Sequence, residues 1–140
     1  MGSMGIVYVY RRAHFSASHR LFDPALSDEQ NAEIFGGCSN PNGHGHNYYI
    51  EVCVAGIPDA KTGFVIDLKK VKQLLSDRFL NKVDHKNLNV DVDFLTGINP
   101  TTENIAVAAW NELHPYITEG KLYSVRIYET ENNFVEYKGE

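Results

Sequence analysis

The fold of this chain is decided by a long alternating stretch near its start, which has the sequence IVYVYRRAHFSAS over residues 6–18. The apolar side chains of Val7, Val9, Ala13 and Phe15 alternate there with more polar ones. Successive side chains of a β-strand point to opposite faces, so this pattern predicts a long strand with one buried face. The abundance of β-branched and aromatic residues favours the same structure.

Similar patterns predict three further strands. A second alternating stretch begins at His46, and two shorter ones cover residues 122–129 and 134–137. The Asn132-Asn133 pair between the last two stretches is typical of a hairpin turn. We therefore expect the chain to end in a β-hairpin.

Three helices are predicted from their start signals. Ser27 and Gln30 form a capping box for a short helix that ends at Phe35. Asp67 is a suitable N-cap for one longer helix, and Thr101 and Thr102 are suitable N-caps for another. The apolar stripes of these longer helices comprise Leu68, Val71, Leu74, Leu75 and Phe79 in the first, and Ile105, Ala106, Ala109, Trp110, Leu113 and Ile117 in the second.

The order of the long elements, ββααββ, predicts the fold class. It indicates an α+β fold with a four-stranded antiparallel sheet and two helices on one face. Such a sheet has two edges, which a soluble protein must pair or protect. Because the end strands are long and rich in aromatic residues, we expect association of several copies to close the sheet.

Composition limits the classes of function. The 140 residues suffice for one domain, which we expect to cover residues 5–140, with residues 1–4 as an expression remnant. The net charge of −5 excludes a general basic field for nucleic acid. No stretch approaches the roughly 20 apolar residues that cross a bilayer, so we expect a soluble cytoplasmic protein with no membrane partner. Cys38 and Cys53 are then expected to be free thiols.

Histidines at the start of the second predicted strand indicate a metal site. His44 and His46 are two residues apart, so in an extended chain their side chains point to the same side. Antiparallel pairing of the first two strands would bring His19 beside them. Three imidazoles without a thiolate form the open ligand set of a catalytic zinc ion. The alternative is that these histidines are ordinary surface or core residues.

Further polar residues are candidates for catalysis and binding. Cys38 precedes the histidine pair and is a candidate base, although a fourth metal ligand or an inert thiol is the alternative. Asp84 and His85 could form an acid–base pair or simply end a helix. Glu129 closes a strand, where its carboxylate could be solvated or could hold a planar ring with paired N–H donors, such as a pterin or guanine.

Five blocks of the sequence resemble the 6-pyruvoyl-tetrahydropterin synthase family. They are FSASHRL (15–21), CSNPNGHGHNY (38–48), DHKNL (84–88), TTEN (101–104) and YET (128–130). The blocks occur in the family order and span nearly the whole chain. The resemblance implies the tunnelling fold, in which three subunits close a β-barrel. Two such rings then stack into a homohexamer with active sites at subunit interfaces.

The resemblance also implies an activity. The family converts 7,8-dihydroneopterin triphosphate to 6-pyruvoyl-tetrahydropterin with elimination of triphosphate, in tetrahydrobiopterin biosynthesis. It implies one Zn²⁺ per subunit, with His19, His44 and His46 as its ligands, and Mg²⁺ as a companion of the triphosphate.

The family pattern assigns roles to the remaining candidates. Cys38 would be the base, and Asp84 and His85 from a neighbouring subunit would complete the proton relay. Glu129 would anchor the pterin ring. Residues 101–103, namely Thr101, Thr102 and Glu103, would help to hold the ring or its surroundings.

Two alternative functions remain at this point. The related 6-carboxy-tetrahydropterin synthase of deazaguanine (queuosine) biosynthesis resembles the chain at the same positions. The long Asn-Pro-Asn-Gly spacer before His44 and the Asn132-Asn133 turn favour the pyruvoyl enzyme. A noncatalytic zinc-stabilised binding module is the alternative from another class.

Overall fold

The computed structural model describes residues 5–140 as one mixed β-sheet with helices packed on one face. The strands are β1 (Val7–His19), β2 (His44–Gly56), β3 (Lys86–Asn87), β4 (Lys121–Tyr128) and β5 (Phe134–Tyr137). They lie in the order β3-β1-β2-β4-β5. The helices are α1 (Asp28–Phe35), α2 (Leu68–Leu75), α3 (Asn81–Val83) and α4 (Thr102–Leu113).

The two long strands form the centre of the sheet. β1 and β2 pair antiparallel over their whole length, from Val7 opposite Gly56 to His19 opposite His44. This register confirms the predicted strand pairing. Because it places the end of β1 against the start of β2, it also brings His19 next to the histidine pair.

The predicted sheet of four antiparallel strands is wrong in one respect, since the sheet has a fifth strand. β3 runs parallel to β1 and pairs with Ala17 and Ser18. Its two residues are too few to show an alternating pattern. Hydrogen bonds between Ser16 and the preceding turn hold it in place: the N–H of Ser16 donates to Oδ1 of Asp84, 68 positions away, and the N–H of His85 donates to the carbonyl oxygen of Ser16.

The first long helix starts at the predicted cap, where Asp67 accepts a hydrogen bond from the N–H of Lys69. It continues from α2 through a wider π-helical turn (Ser76–Leu80) into α3. The buried residues of this segment include Val71, Leu75 and Phe79, as predicted. Leu68, the first residue of the helix after its N-cap, is 44% exposed, so its assignment to the core was wrong.

The hydrophobic core lies between the sheet and the helices. Helix α4 packs on β4 and β5, and its predicted apolar stripe is buried. Near the histidine end of the sheet, the Phe15 ring stacks on Tyr48 with centroids 4.8 Å apart, and Phe79 meets it edge-on. These three aromatic rings form the part of the core that lies next to the histidine end of the sheet.

Two further predictions concern the first residues of the chain and membrane-spanning segments. The expected remnant at residues 1–4 lies outside the described residues. Within residues 5–140, no helix combines the length and apolar character required to span a bilayer.

Candidate functional site

Three imidazoles converge at the paired ends of β1 and β2. His19, His44 and His46 each offer one ring nitrogen, and these nitrogens lie within 4.8 Å of one another. The Nε2 atoms of His19 and His44 are 3.1 Å apart. The structure therefore brings together the three residues that the sequence predicts as metal ligands.

A turn at Gly43 allows His44 to lie in this cluster. Gly43 has φ +74°, and a Cβ atom added there would lie 3.0 Å from the carbonyl oxygen of His19. Both features require glycine, because other residues rarely adopt this conformation and have no space here. The turn thus permits the loop to pass close to the end of β1.

The ring of His19 is completely buried and held in one orientation. Its Nδ1–H donates to the carbonyl oxygen of Pro100 at 2.8 Å, which leaves the lone pair on Nε2 facing the cluster. Burial lowers the pKa of His19, and the neighbouring His44 and His46 lower it further. A neutral imidazole with a fixed tautomer is suited to bind a metal.

The residues fit a divalent cation. Nδ1 of His44 and Nε2 of His46 are buried without a hydrogen-bond partner. Nε2 of His46 lies 3.1 Å from Oε1 of Glu129, a contact that lacks hydrogen-bond geometry. Burial lowers the pKa of His46, although the Glu129 carboxylate opposes this shift. Three imidazoles without a thiolate are the donor set of catalytic zinc sites.

Tyr48 also belongs to this cluster, although the sequence analysis did not select it. Its hydroxyl oxygen lies 3.2 Å from Nδ1 of His19, and burial raises its pKa. The signal was present in the sequence, because Tyr48 is two residues after His46 and so faces the same side of β2.

Cys38 is not a member of the three-histidine group. It is a half-buried free thiol in a tight turn (Gly36–Ser39), and its carbonyl oxygen accepts a hydrogen bond from the N–H of Leu21 at 2.8 Å. Cys53 is buried and also free, which confirms that the two cysteines form no disulfide.

Asp84 and His85 lie in close contact on the edge of β1. Oδ1 of Asp84 lies 3.0 Å from the N–H of Ser16 and 3.0 Å from Nδ1 of His85. The Ser16 N–H, and secondarily His85, lower the pKa of Asp84. His85 has φ +61°, a conformation that costs about 1–3 kcal/mol and is concentrated at functional sites.

Among residues 5–140, no hydrogen bond or ion pair joins this pair to the three-histidine cluster, although His46 and His85 line the same cleft. The His85 side chain is 81% exposed and faces a cleft of about 420 Å³ that Ser16, Ser18 and Asn47 also line. Ser16 points away from the face that carries His19, because their positions in β1 differ by an odd number. No hydrogen bond links Cys38 to Asp84 or His85 among residues 5–140.

A small acidic pocket lies next to the cluster. It has a volume of about 190 Å³, and its lining includes Thr102, Glu103 and Glu129. The Thr102 hydroxyl donates to Oε2 of Glu129, which fixes the carboxylate. The Thr101 hydroxyl caps α4 by accepting from the N–H of Asn104 at 3.1 Å.

The fold and site define a class of protein: an α+β domain with a three-histidine centre at the end of a strand pair and a carboxylate pocket beside it. The family model for 6-pyruvoyl tetrahydropterin synthase matches residues 8–140. The chain belongs to this family.

Individual relatives agree with this assignment. The chain is 50% identical over 132 residues to 6-pyruvoyl tetrahydrobiopterin synthase of Pongo abelii, covering 94% of this chain and 91% of the relative. The solved structure of Caenorhabditis elegans 6-pyruvoyl tetrahydropterin synthase matches with a TM-score of 0.92 and 43% identity, covering 100% of both chains. The 6-carboxy-5,6,7,8-tetrahydropterin synthase of Rickettsia felis is 29% identical over 144 residues, covering 90% of this chain and 96% of the relative.

Proposed function

We propose that this protein is a zinc-dependent lyase that converts 7,8-dihydroneopterin triphosphate to 6-pyruvoyl-tetrahydropterin and triphosphate, in tetrahydrobiopterin biosynthesis. The observation that carries the proposal is the placement of three histidine nitrogens within 4.8 Å of one another, beside the pocket of Glu129 and Thr102. The high identity to relatives named for this activity supports it.

Glu129 is proposed to recognise the pterin ring. A pterin offers adjacent N–H donors in one plane, and a carboxylate can accept both of them. The Thr102 hydroxyl orients this carboxylate through Oε2, and Glu103 lies in the same pocket. The ring would then be held within reach of the three histidines, because Oε1 of Glu129 is 3.1 Å from Nε2 of His46.

His19, His44 and His46 would hold one Zn²⁺ per subunit. When bound, this ion supplies a positive charge that stabilises negative charge on the oxygens of the substrate side chain. Cys38 would remove protons from the carbon atoms of that side chain, and the C–O bond to the triphosphate breaks. The electrons released by oxidation of the side chain reduce the pterin ring, so the reaction needs no external oxidant. Mg²⁺ would accompany the triphosphate.

The open edges of the sheet support assembly into a homohexamer of two stacked trimers. Within the described part of the chain, β1 has a partner on its outer edge only at Ala17 and Ser18, and the outer edge of β5 has none. Val7, Tyr8 and Tyr10 are 44–46% exposed along β1. Closure of a barrel would pair these edges. The outward-facing Asp84 and His85 would then serve the active site of a neighbouring subunit.

The free thiols suit a cytoplasmic location.

The product distinguishes this proposal from its alternatives. Purified, zinc-loaded protein is incubated with 7,8-dihydroneopterin triphosphate, with chelator-treated protein as the control, and the products are identified by mass spectrometry. We expect 6-pyruvoyl-tetrahydropterin and free triphosphate. A 6-carboxy product would assign the activity named for the Rickettsia relative, and no turnover by folded, metal-loaded protein would favour a noncatalytic zinc-stabilised module.

A further inference from the structure

Arg20, the residue after the candidate ligand His19, connects two other segments near the site. Its Nε–H donates to the carbonyl oxygen of Ser39 at 2.8 Å, and Nη2 donates to Oδ1 of Asp28 at 3.0 Å. The guanidinium carbon lies 3.9 Å from the centroid of the Phe22 ring. The Arg20 side chain is only 18% exposed and Ser39 is buried, whereas Asp28 is 79% exposed, so the contact with Ser39 is the one shielded from water.

The main chain of Arg20 is fixed as well. Its N–H donates to Oδ1 of Asn89 at 2.7 Å, and its carbonyl oxygen accepts from Nδ2 of Asn89 at 2.9 Å. A double hydrogen bond of this kind prevents rotation of the backbone around Arg20. The guanidinium therefore extends from a fixed point towards the loop that carries Cys38.

The Arg20 side chain adds a hydrogen bond to the turn that carries Cys38, which also has internal hydrogen bonds from Ser39 Oγ to the carbonyl oxygen of Gly36 and from the N–H of Asn40 to that of Gly37. The turn begins with Gly36 and Gly37, which have the largest backbone freedom of all residues. The carbonyl oxygen of Cys38 accepts from the N–H of Leu21, and the next carbonyl, that of Ser39, accepts from Arg20. Two successive carbonyl groups are thus tied to the segment that follows His19.

We infer that Arg20 is a positioning residue that sets the place of the Cys38 thiol relative to the three-histidine cluster. This inference rests on the proposed role of Cys38 as the base. The guanidinium is not assigned to the triphosphate, because its Nε and Nη2 hydrogens are directed to acceptors of the chain itself and one of its faces is stacked on Phe22.

The test compares Arg20→Gln and Arg20→Lys with a matched control, Arg78→Gln. Arg78 also lies over an aromatic ring, 3.9 Å from the Tyr116 centroid, but it is in the helical segment after α2 and holds no part of the Cys38 turn. We expect Arg20→Gln to lower kcat about 10- to 100-fold with KM within about twofold, since a misplacement of about 1 Å has effects of this size. Arg20→Lys should recover part of the loss, because an ammonium group can reach one of the two acceptors.

A second measurement does not depend on turnover. Iodoacetamide alkylation of Cys38 is followed by peptide mass, with the buried Cys53 as an internal reference. We expect the Arg20 variants to change the alkylation rate and Arg78→Gln to leave it unchanged, at equal zinc content and assembly. This readout remains valid if the wild-type protein proves not to make 6-pyruvoyl-tetrahydropterin, so the two proposals can fail separately.

Several results would overturn the inference. One is a kcat of Arg20→Gln within twofold of the wild type, and another is an equal loss of kcat in Arg78→Gln. An unchanged alkylation rate of Cys38 in the Arg20 variants would also overturn it. So would a rise in KM alone in Arg20→Gln, which would indicate that Arg20 contacts the substrate. If Arg20→Gln does not fold, Asp28→Ala removes the exposed contact of the guanidinium, and kcat should fall about two- to fivefold. An unchanged kcat and alkylation rate in that variant would then contradict the inference.

Discussion

Replacement of Glu129 by glutamine tests how the substrate ring is held. The Glu129 carboxylate accepts from Thr102 through Oε2, and its side chain is 28% exposed. Glutamine keeps the size and shape of the side chain but removes the charge. It also places an NH₂ group where one of the acceptor oxygens stood, so it can match only one of two adjacent N–H donors.

The size of the effect follows from these contacts. A hydrogen bond to a charged group contributes about 1.5–3 kcal/mol, and about 1.4 kcal/mol corresponds to a factor of ten in affinity. Because more than a quarter of the side chain is exposed, water screens the interaction, and the lower half of this range applies. We therefore expect Glu129→Gln to weaken pterin binding about 10- to 40-fold.

The assay measures the Kd of neopterin by fluorescence quenching. Glu131→Gln is the matched control, because this exposed glutamate is two residues further along the chain and outside the pocket. Metal content is measured in parallel, since Glu129 also contacts His46. A Kd within twofold of the wild type, at equal metal content, would show that Glu129 does not hold the ring.

Other residues give further predictions. Cys38→Ala should lower turnover by about 10²- to 10⁴-fold while elemental analysis finds zinc unchanged; loss of zinc would instead identify Cys38 as a ligand. Mixing inactive Cys38→Ala and His85→Ala subunits should restore part of the activity, and no recovery despite demonstrated mixing would argue against a shared site. In metal-free protein, His19 and His46 have lowered pKa values. The unfolded chain, with histidine pKa values near about 6.5, therefore binds more protons, so the free energy of unfolding should fall as the pH drops from about 7 to about 5. Urea unfolding at several pH values measures this, and a flat profile would contradict it.

Local patterns determined much of the fold. The sequence shows the alternation in β1 and β2 directly, because it depends on residues close together in the chain. The same is true of the capping box at Ser27 and the N-caps at Asp67 and Thr101. The three-histidine cluster was also predictable, because it requires only the spacing of His44 and His46 and the antiparallel pairing of two adjacent strands.

Contacts between distant segments were decided only by the tertiary structure. β3 exists because of its contact with β1, and the orientation of His19 depends on the carbonyl group of Pro100, 81 residues away. Likewise, only the family resemblance assigned Glu129 and Thr102 to the same binding site. The packing of α4 against β4 brings the two side chains into hydrogen-bond contact. The sequence by itself determined which strands and helices form and which imidazoles gather, since these follow from local spacing. The partners that orient those side chains depend on how the elements pack, and no local pattern records that.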